Sequence, residues 1–261
     1  MLTVTPVHPE GPRYRASIAY LSGLWVAPQI WLPTATFLAH RGWEGALVDL
    51  RSVRGGLVAR AEAVVGYLRT LSAPTVLMGH DAGALLGLAV AARIQVGALV
   101  LVSPLLPGTP GTHAVTWSRA LLWALLRHGN IGPPTGPVAE TFFAELSPAV
   151  RLGMVDEDAR LLAHLTRRRP IDRPAKLPPT LVIRGEQDPL LARPEAQGLA
   201  ADLGAEVEEI PRTGHWLIGP LGSRECVRIV HPWLVQRLGE PLLELYAEAM
   251  AERQENEPDD G

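Results

Sequence analysis

Five residues, GHDAG at positions 79–83, limit the possible folds of this chain more than any other stretch. The apolar run 75–78 before them is typical of a buried strand, and the small-residue stretch 82–94 is typical of a helix. Glycines two positions from the central residue are needed where a strand turns sharply into a helix, because a side chain there would collide with either element. The central residue, Asp81, therefore occupies the nucleophile position of a strand–elbow–helix motif.

Strands and helices alternate on both sides of this elbow. Each predicted strand is nearly all apolar, which favours a mostly parallel, doubly wound sheet covered by helices on both faces. We therefore predict an α/β fold, with one or two short edge strands in residues 1–16. The other predicted strands are residues 17–21, 46–50, 97–102, 180–184 and 207–210, and the other predicted helices are residues 28–40, 57–71, 194–203 and 223–238.

The alternation stops at Leu105. From there to residue 178 the sequence has proline and glycine joints and no convincing strand, so we predict a helical insertion that forms a cap. Its predicted helices are residues 115–128, 138–146 and 156–169. The chain then divides into four parts: residues 1–104 and 179–253 as the two parts of the core, 105–178 as the cap, and 254–261 as a disordered tail.

Composition excludes several classes of function. The chain has 24 lysines and arginines against 27 aspartates and glutamates, so we predict neither a nucleic-acid partner nor a membrane partner. The only cysteine, Cys226, excludes intrachain disulfides and cysteine-rich metal sites. No apolar run approaches the ~18 residues of a membrane span, and the start does not resemble a secretory signal. We expect a cytoplasmic protein, and an amphipathic stretch at 241–253 permits either a monomer or a homodimer.

Three residues with catalytic side chains follow three predicted strands. Asp81 ends its strand, Asp188 follows the strand 180–184, and His215 follows the strand 207–210. In an open parallel sheet these positions meet at one edge. The chain order is nucleophile, acid and histidine, in which the acid orients the imidazole and the imidazole acts as a base. We predict that Asp81, Asp188 and His215 form a catalytic triad.

Two backbone amides are candidates for an oxyanion hole. One belongs to Ala82, directly after the predicted nucleophile, and the other to Leu24, which follows Gly23 in the loop after an early strand. No group of side chains has the spacing of a metal site, so we predict no metal and no cofactor.

Five aromatic or imidazole side chains are candidate substrate contacts. Three adjoin predicted site residues, and two lie in the predicted cap, where their helical spacing is explained more simply by packing in a core. With Phe142 and Phe143, they favour a small apolar or amphipathic organic substrate. The five are Trp25, His80, Trp117, Trp123 and Trp216.

Together these motifs resemble the α/β-hydrolase fold, and the Gly-His-Asp elbow resembles the branch of epoxide hydrolases and haloalkane dehalogenases. The supporting segments are 79–83, 49–51 (DLR), 185–188 (GEQD) and 214–216 (GHW). The resemblance implies that the aspartate attacks a carbon atom and forms an ester, which water activated by the histidine then cleaves. Carried onto this chain, it implies Asp81 as nucleophile, His215 as base and Asp188 as the orienting acid.

Two departures narrow the expected chemistry. Epoxide hydrolases of this branch place two tyrosines in the cap, whereas none lies in residues 105–178 here. Dehalogenases of this branch carry a tryptophan at the position of Ala82. Because this chain lacks that tryptophan, an epoxide is the first expectation. The candidate proton donors in the predicted cap are His113, His128 and His164.

Two alternatives remain open from the sequence. Asp81 could act as a general base or an electrostatic group in an ester or lactone hydrolase, or in a cyclase acting on a biosynthetic intermediate. The chain could also be a non-catalytic binding protein that has kept the fold. A large separation between His215 and Asp81 would favour this last reading.

Overall fold

The computed structural model describes residues 2–127, 129–167, 174, 176–219 and 222–238. Seven strands form one sheet, in which the neighbours follow the order β1-β3-β2-β4-β5-β8-β9. Every neighbouring pair is parallel except β1 and β3. The strands are β1 (Thr3–Val7), β2 (Ser17–Leu21), β3 (Glu44–Asp49), β4 (Thr75–His80), β5 (Ala98–Val102), β6 (Asn130–Ile131), β7 (Glu157–Asp158), β8 (Thr180–Gly185) and β9 (Glu206–Ile210).

Helices flank this sheet, and the predicted fold class is confirmed. The helix α1 packs against α10, and α2 packs against α3. A 3₁₀ turn, Pro28–Trp31, precedes α1 and takes up the first part of the helix predicted over 28–40. The helices are α1 (Leu32–His40), α2 (Gly56–Leu68), α3 (Ala82–Ala91), α4 (Pro110–Thr116), α5 (Arg119–Leu126), α6 (Pro137–Phe142), α7 (Pro148–Leu152), α8 (Ala159–Thr166), α9 (Arg193–Leu203) and α10 (Ser223–Leu238).

The elbow lies in the middle of the core. The strand β4 is flanked by β2 and β5 on its two edges, and every residue of β4 and of α3 is buried. A strand with both faces covered needs apolar side chains on both, which explains why these segments read as continuous apolar runs rather than alternating ones. This burial fixes the position of the turn between them.

The chain between β5 and β8, called the insertion below, differs from its prediction. Its described residues form five short helices, α4 to α8, where we predicted three longer ones. Prolines at 110, 137 and 148 lie in the first turns of α4, α6 and α7, because proline fits a helix start and breaks a helix interior. The short antiparallel pair β6–β7 was not predicted, because two-residue strands have too little sequence to show a period.

Two tryptophans of the insertion correct the expectation that they pack in a core. Trp117 is 47% exposed and Trp123 is 64% exposed. Trp117 ends α4 in an extended conformation, which interrupts the helix predicted over 115–128. In α5 only Leu121 is buried, because apolar residues lie on every side of this short helix and only one side faces the protein.

Parts of the sequence-based interpretation lie outside the described residues. These are His128, the helix predicted over 241–253 and the tail predicted over 254–261. Within the residues that the structure describes, no helix combines the length and the hydropathy that crossing a membrane requires.

Candidate active site

Steric crowding in the elbow explains why positions 79 and 83 are both glycine. A Cβ on Gly79 would lie 2.3 Å from the carbonyl oxygen of Gly83, and a Cβ on Gly83 would lie 2.2 Å from the carbonyl oxygen of Leu21. Asp81 itself has φ 58° and ψ −125°, which is a strained conformation for a residue with a side chain. Such strain persists where the surrounding structure enforces it, so the elbow projects this carboxylate from a rigid base.

The carboxylate of Asp81 is held by both predicted oxyanion amides. The amide of Ala82 donates to Oδ1, and the amide of Leu24 donates to Oδ2 at 3.4 Å. The loop of Leu24 can approach this closely because a Cβ on Gly23 would lie 2.4 Å from the Cβ of Asp81. In this structure the two donors therefore bind the carboxylate of the chain itself.

The three predicted catalytic side chains lie together. Nδ1 of His215 is 3.1 Å and 3.0 Å from the two carboxylate oxygens of Asp188, and Nε2 of His215 is 3.8 Å from Oδ2 of Asp81. Asp188 also accepts the amides of Leu190 and Leu191, which fixes its carboxylate. Among the described residues Nε2 of His215 has no hydrogen-bond partner, so this nitrogen faces Asp81 and is available for a proton transfer or a further hydrogen bond.

The burial of these groups shifts their pKa values. Burial raises the pKa of Asp81, and the positive charge of His215 lowers it only in part. Burial would lower the pKa of His215, but the carboxylates of Asp188 and Asp81 outweigh this and raise it to about 10. Burial would likewise raise the pKa of Asp188, yet its contacts with His215 hold it below its usual range. An imidazolium paired with the carboxylate of Asp188 follows from these directions, and Asp81 faces its other nitrogen.

His80 supports the loop of His215. Its Nε2 lies 3.0 Å from the carbonyl oxygen of His215, and burial lowers the pKa of His80 to about 3. The ring is therefore neutral, and Nε2 must carry the proton because a carbonyl oxygen only accepts. The ligand atoms of His80, Asp81 and His215 lie within 4.8 Å of one another, so these residues are the candidates for holding a metal ion. A metal there would occupy the carboxylate and the imidazole nitrogen that face each other.

Aromatic rings close over the two facing groups. The ring of Phe142 in α6 lies 5.3 Å from the ring of His215 and 5.9 Å from the ring of Trp25. Nε1 of Trp216 donates to the carbonyl oxygen of Phe142 at 2.6 Å, which joins the histidine loop to the insertion. Asp81 is 0% exposed and His215 is 1% exposed. Both of these groups are therefore shielded from solvent.

Two cavities lie where the insertion meets the core. One, of about 410 Å³, is bounded by Trp25 and Trp117. The other, of about 300 Å³, is bounded by Phe142 and Leu190. Their linings are uncharged. The first cavity includes Trp25, which follows the amide donor Leu24, and the second includes Phe142, whose ring lies beside the ring of His215. Three lining residues are common to both: Ala114, Val115 and Val138.

The remaining candidates from the sequence lie elsewhere. Trp123 lines neither cavity, and the guanidinium of Arg127 lies 6.0 Å from the centre of its ring, so a substrate contact does not fit its position. His113 is exposed and stacks on Trp117 at 5.7 Å. His164 lines a separate cavity at the start of α2. The structure therefore places neither histidine in the two cavities.

Sequence reasoning missed a buried ion pair next to the site. Nη2 of Arg60 in α2 is 2.6 Å from Oε2 of Glu157 in β7, and both residues are buried. Burial raises the pKa of Glu157, and Arg60 offsets only part of this rise. The other oxygen of Glu157 accepts the amide of Trp25, whose φ of 61° is strained. Because Arg60 and Glu157 lie 97 residues apart in sequence, no local sequence pattern indicates this ion pair.

Replacing Arg60 with methionine should destabilise the fold strongly. The carboxylate of Glu157 would stay buried without its partner, which costs about 3–5 kcal/mol in the free energy of unfolding. Urea unfolding measures this loss. The control is Arg228→Met, which breaks an exposed pair with Glu225 and should cost at most about 1 kcal/mol. Equal losses in the two variants would contradict the assignment of a buried, structural pair.

Comparison with known proteins agrees with the observed fold. The sequence model of the Alpha/beta hydrolase family matches residues 18–225. No curated protein matches the chain. Among solved structures, the chain is similar to a thermophilic esterase from Thermogutta terrifontis, at 18% identity, a TM-score of 0.67 and coverage of 91% of this chain and 94% of the esterase.

Two further solved structures are similar at the same level. A monoacylglycerol lipase from Paleococcus ferrophilus has 16% identity and a TM-score of 0.68, with 91% of this chain and 99% of the lipase covered. The enol-lactonase from Burkholderia xenovorans LB400 has 19% identity and a TM-score of 0.64, with 90% of this chain and 96% of the lactonase covered. At these identities the likeness shows the fold.

The narrower resemblance to epoxide hydrolases and dehalogenases stays a prediction. The family match itself extends over well more than half of the chain, from β2 into the first turn of α10. The chain belongs to the alpha/beta hydrolase family.

Proposed function

We propose that the protein is a cofactor-independent hydrolase that opens an epoxide or a related carbon electrophile through a covalent ester of Asp81. One observation carries the proposal: a carboxylate occupies the nucleophile position of the elbow, and Nε2 of His215 faces it at 3.8 Å with no hydrogen-bond partner among the described residues. A carboxylate can attack carbon without losing a proton first, so this nucleophile suits epoxide opening. The histidine is then available for the protons of the later steps.

The two amides support the covalent route. In ester hydrolysis by an oxyanion hole, the substrate carbonyl oxygen needs the amides of Leu24 and Ala82, but both donate to the carboxylate of Asp81. In the covalent route that carboxylate becomes the ester, so the donors already contact the acyl group that water will attack. The negative charge that develops on its oxygen would be stabilised there.

His215 supplies the proton that the opened epoxide needs. An oxygen of Asp81 forms a bond to carbon, the epoxide C–O bond breaks towards its oxygen, and that oxygen takes the proton from Nε2 of His215. The two neighbouring carboxylates keep the imidazole protonated before this step. His215 can thus take the role of the cap tyrosines that residues 105–178 lack.

Hydrolysis of the ester restores the starting state. Once Asp81 is esterified, it carries no charge and His215 has lost its proton, so the imidazole can act as the base. Water attacks Cγ of Asp81 as His215 takes its proton, and the bond between Cγ and the alcohol oxygen breaks. The oxygen of water stays in the carboxylate, and its two protons end on the diol and on His215. Asp188 holds the imidazole in position through both steps.

The cavities favour an uncharged substrate. The larger one is lined by neutral side chains and is bounded by Trp25, which directly follows the amide donor Leu24. An apolar or amphipathic epoxide of moderate size would remove apolar surface from water there at ~25 cal/mol per Å². The test of the whole proposal is a screen of epoxides, haloalkanes and activated esters against the wild type and Asp81→Asn.

Ester or lactone hydrolysis is the second candidate, because the similar structures include an esterase, a lipase and an enol-lactonase. In this case Asp81 would act as a general base, and its carboxylate would have to leave the two amides. A single turnover in ¹⁸O-labelled water separates the routes. The covalent route puts the label into Asp81 and leaves the first product molecule unlabelled. The 3.8 Å approach of His215 to Asp81 counts against a protein that only binds.

The pH dependence of ester formation tests the proton donor. With an epoxide, the rate should hold through neutral pH and fall by up to about tenfold per pH unit as pH rises through about 10, where His215 loses its proton. With an alkyl bromide of the same carbon skeleton, the leaving group needs no proton and the rate should not fall. Quenched reactions followed by intact mass measure both rates. A parallel decline for the two substrates would contradict the role of His215 as acid.

A further inference from the structure

A glutamate of the insertion holds the loop of the catalytic histidine by both of its flanking amides. Oε1 of Glu145 accepts the amide of Gly214 at 2.7 Å, and Oε2 accepts the amide of Trp216 at 2.9 Å. Glu145 lies in the link between α6 and α7, and the two amides lie on either side of His215. A Cβ on Gly214 would lie 2.7 Å from the carboxylate, so the glycine is required for this contact.

The site as it stands is closed to a substrate. Asp81 and His215 are fully buried, and Phe142 of the insertion covers the imidazole. A substrate therefore reaches Asp81 after the insertion has moved relative to the core. Because Glu145 belongs to the insertion and its two donors belong to the core, such a movement separates the carboxylate from both amides.

We propose that Glu145 is a positioning residue that aligns His215 only while the insertion is closed. The inference rests on the proposed covalent mechanism. In the closed state the two amide bonds, the bond from Trp216 to Phe142 and the contact with Asp188 fix the histidine loop. In the open state the first three are lost. Ester hydrolysis is then confined to a closed site, where the ester and its attacking water are shielded from solvent.

The chemistry of this contact requires a carboxylate of this length. Two N–H donors meet one side chain, and a carboxylate offers one acceptor oxygen to each. In Glu145→Gln one of the two acceptors becomes an NH₂ group that faces an N–H donor. The matched control is Glu186→Gln in the core, because Glu186 accepts the single amide of Arg212 and the amide oxygen of glutamine can still accept it.

The experiment separates the two chemical steps. Each variant is esterified with an excess of the alkyl bromide, the excess is removed, and the loss of the adduct is followed by intact mass. We expect Glu145→Gln to form the adduct at about the wild-type rate and to hydrolyse it about ten- to a hundredfold more slowly. Gly214→Ala should reproduce this effect because its Cβ displaces the carboxylate. Glu186→Gln should hydrolyse the adduct as the wild type does.

Two outcomes would overturn the positioning role. One is adduct decay in Glu145→Gln at the wild-type rate, and the other is an equal slowing of both steps, which indicates general damage. If His215→Gln forms no adduct with the bromide or with an epoxide that the wild type turns over, the covalent mechanism fails instead. Amide hydrogen exchange then still tests whether Glu145 fixes the loop of His215. Exchange in residues 211–217 and in α6 should rise together in Glu145→Gln and stay unchanged in Glu186→Gln, and unchanged exchange in Glu145→Gln would refute it.

Discussion

Asp81→Asn is expected to lower kcat/KM by at least about 10⁴-fold for any substrate that the wild type hydrolyses. An amide nitrogen and a neutral carbonyl oxygen are poor nucleophiles, so no ester forms and the intact mass stays that of the free protein. Steady-state kinetics and mass spectrometry measure the two effects. Asp49→Asn is the control, since it removes the carboxylate at the end of β3 that pairs with Arg51. This variant should retain activity within about twofold.

Asp81→Asn should leave the fold at least as stable as the wild type. Burial raises the pKa of Asp81, so stability linked to this group is fully present below its unfolded pKa and is lost as pH rises through the folded pKa. At neutral pH the buried acid therefore costs stability, and a neutral amide removes that cost. We expect a Tm no lower than that of the wild type. Lost activity together with a clearly lower Tm would point to misfolding rather than to a missing nucleophile.

His215→Gln should convert the enzyme into a stable ester. Without the imidazole no base activates water, so hydrolysis of the ester should slow by at least about 10²-fold. With an epoxide the adduct should build up more slowly than in the wild type because the proton donor is also missing, and with the matched alkyl bromide it should form at the wild-type rate. Intact mass should rise by the full mass of the epoxide, and fragmentation should place the increase on Asp81.

The double variant Asp81→Asn, His215→Gln is the control for this experiment. It should show no mass increase, because the acceptor of the alkyl group is gone. If His215→Gln forms no adduct with a substrate that the wild type turns over, Asp81 is not a covalent nucleophile. The general-base route to esters or lactones would then account better for the activity.

Local geometry explains why the elbow was readable from the sequence. Gly79, Asp81 and Gly83 lie within five residues, and their spacing follows from the clash that any side chain would cause. Gly185 is a similar case, because a Cβ there would lie 2.0 Å from the carbonyl oxygen of Gly214. Glycines required by such contacts leave fixed spacings in the sequence. The positions of the three candidate catalytic residues at strand ends were therefore predictable, whereas their roles stay predictions.

Contacts between distant segments were not readable. Glu145 acts on amides 69 and 71 residues away, and Arg60 pairs with a residue 97 positions along the chain. Neither contact imposes a periodic pattern on the segments that make it. The number and lengths of the helices in the insertion were mispredicted for a related reason, since these short helices are set by their prolines and by packing on the core. Trp123 illustrates this, because helical spacing suited a core position and the structure leaves the residue exposed.

The amides of Leu24 and Ala82 have a consequence for how the protein would respond to inhibitors. Boronic acids and trifluoromethyl ketones bind serine hydrolases by forming a tetrahedral adduct with the serine hydroxyl and by placing an oxygen in a vacant pair of amide donors. In the proposed mechanism the nucleophile is a carboxylate, and the chain's own oxygens already take both donors. Such reagents would find neither feature. Alkylating agents that react with carboxylates would label this member of the family instead.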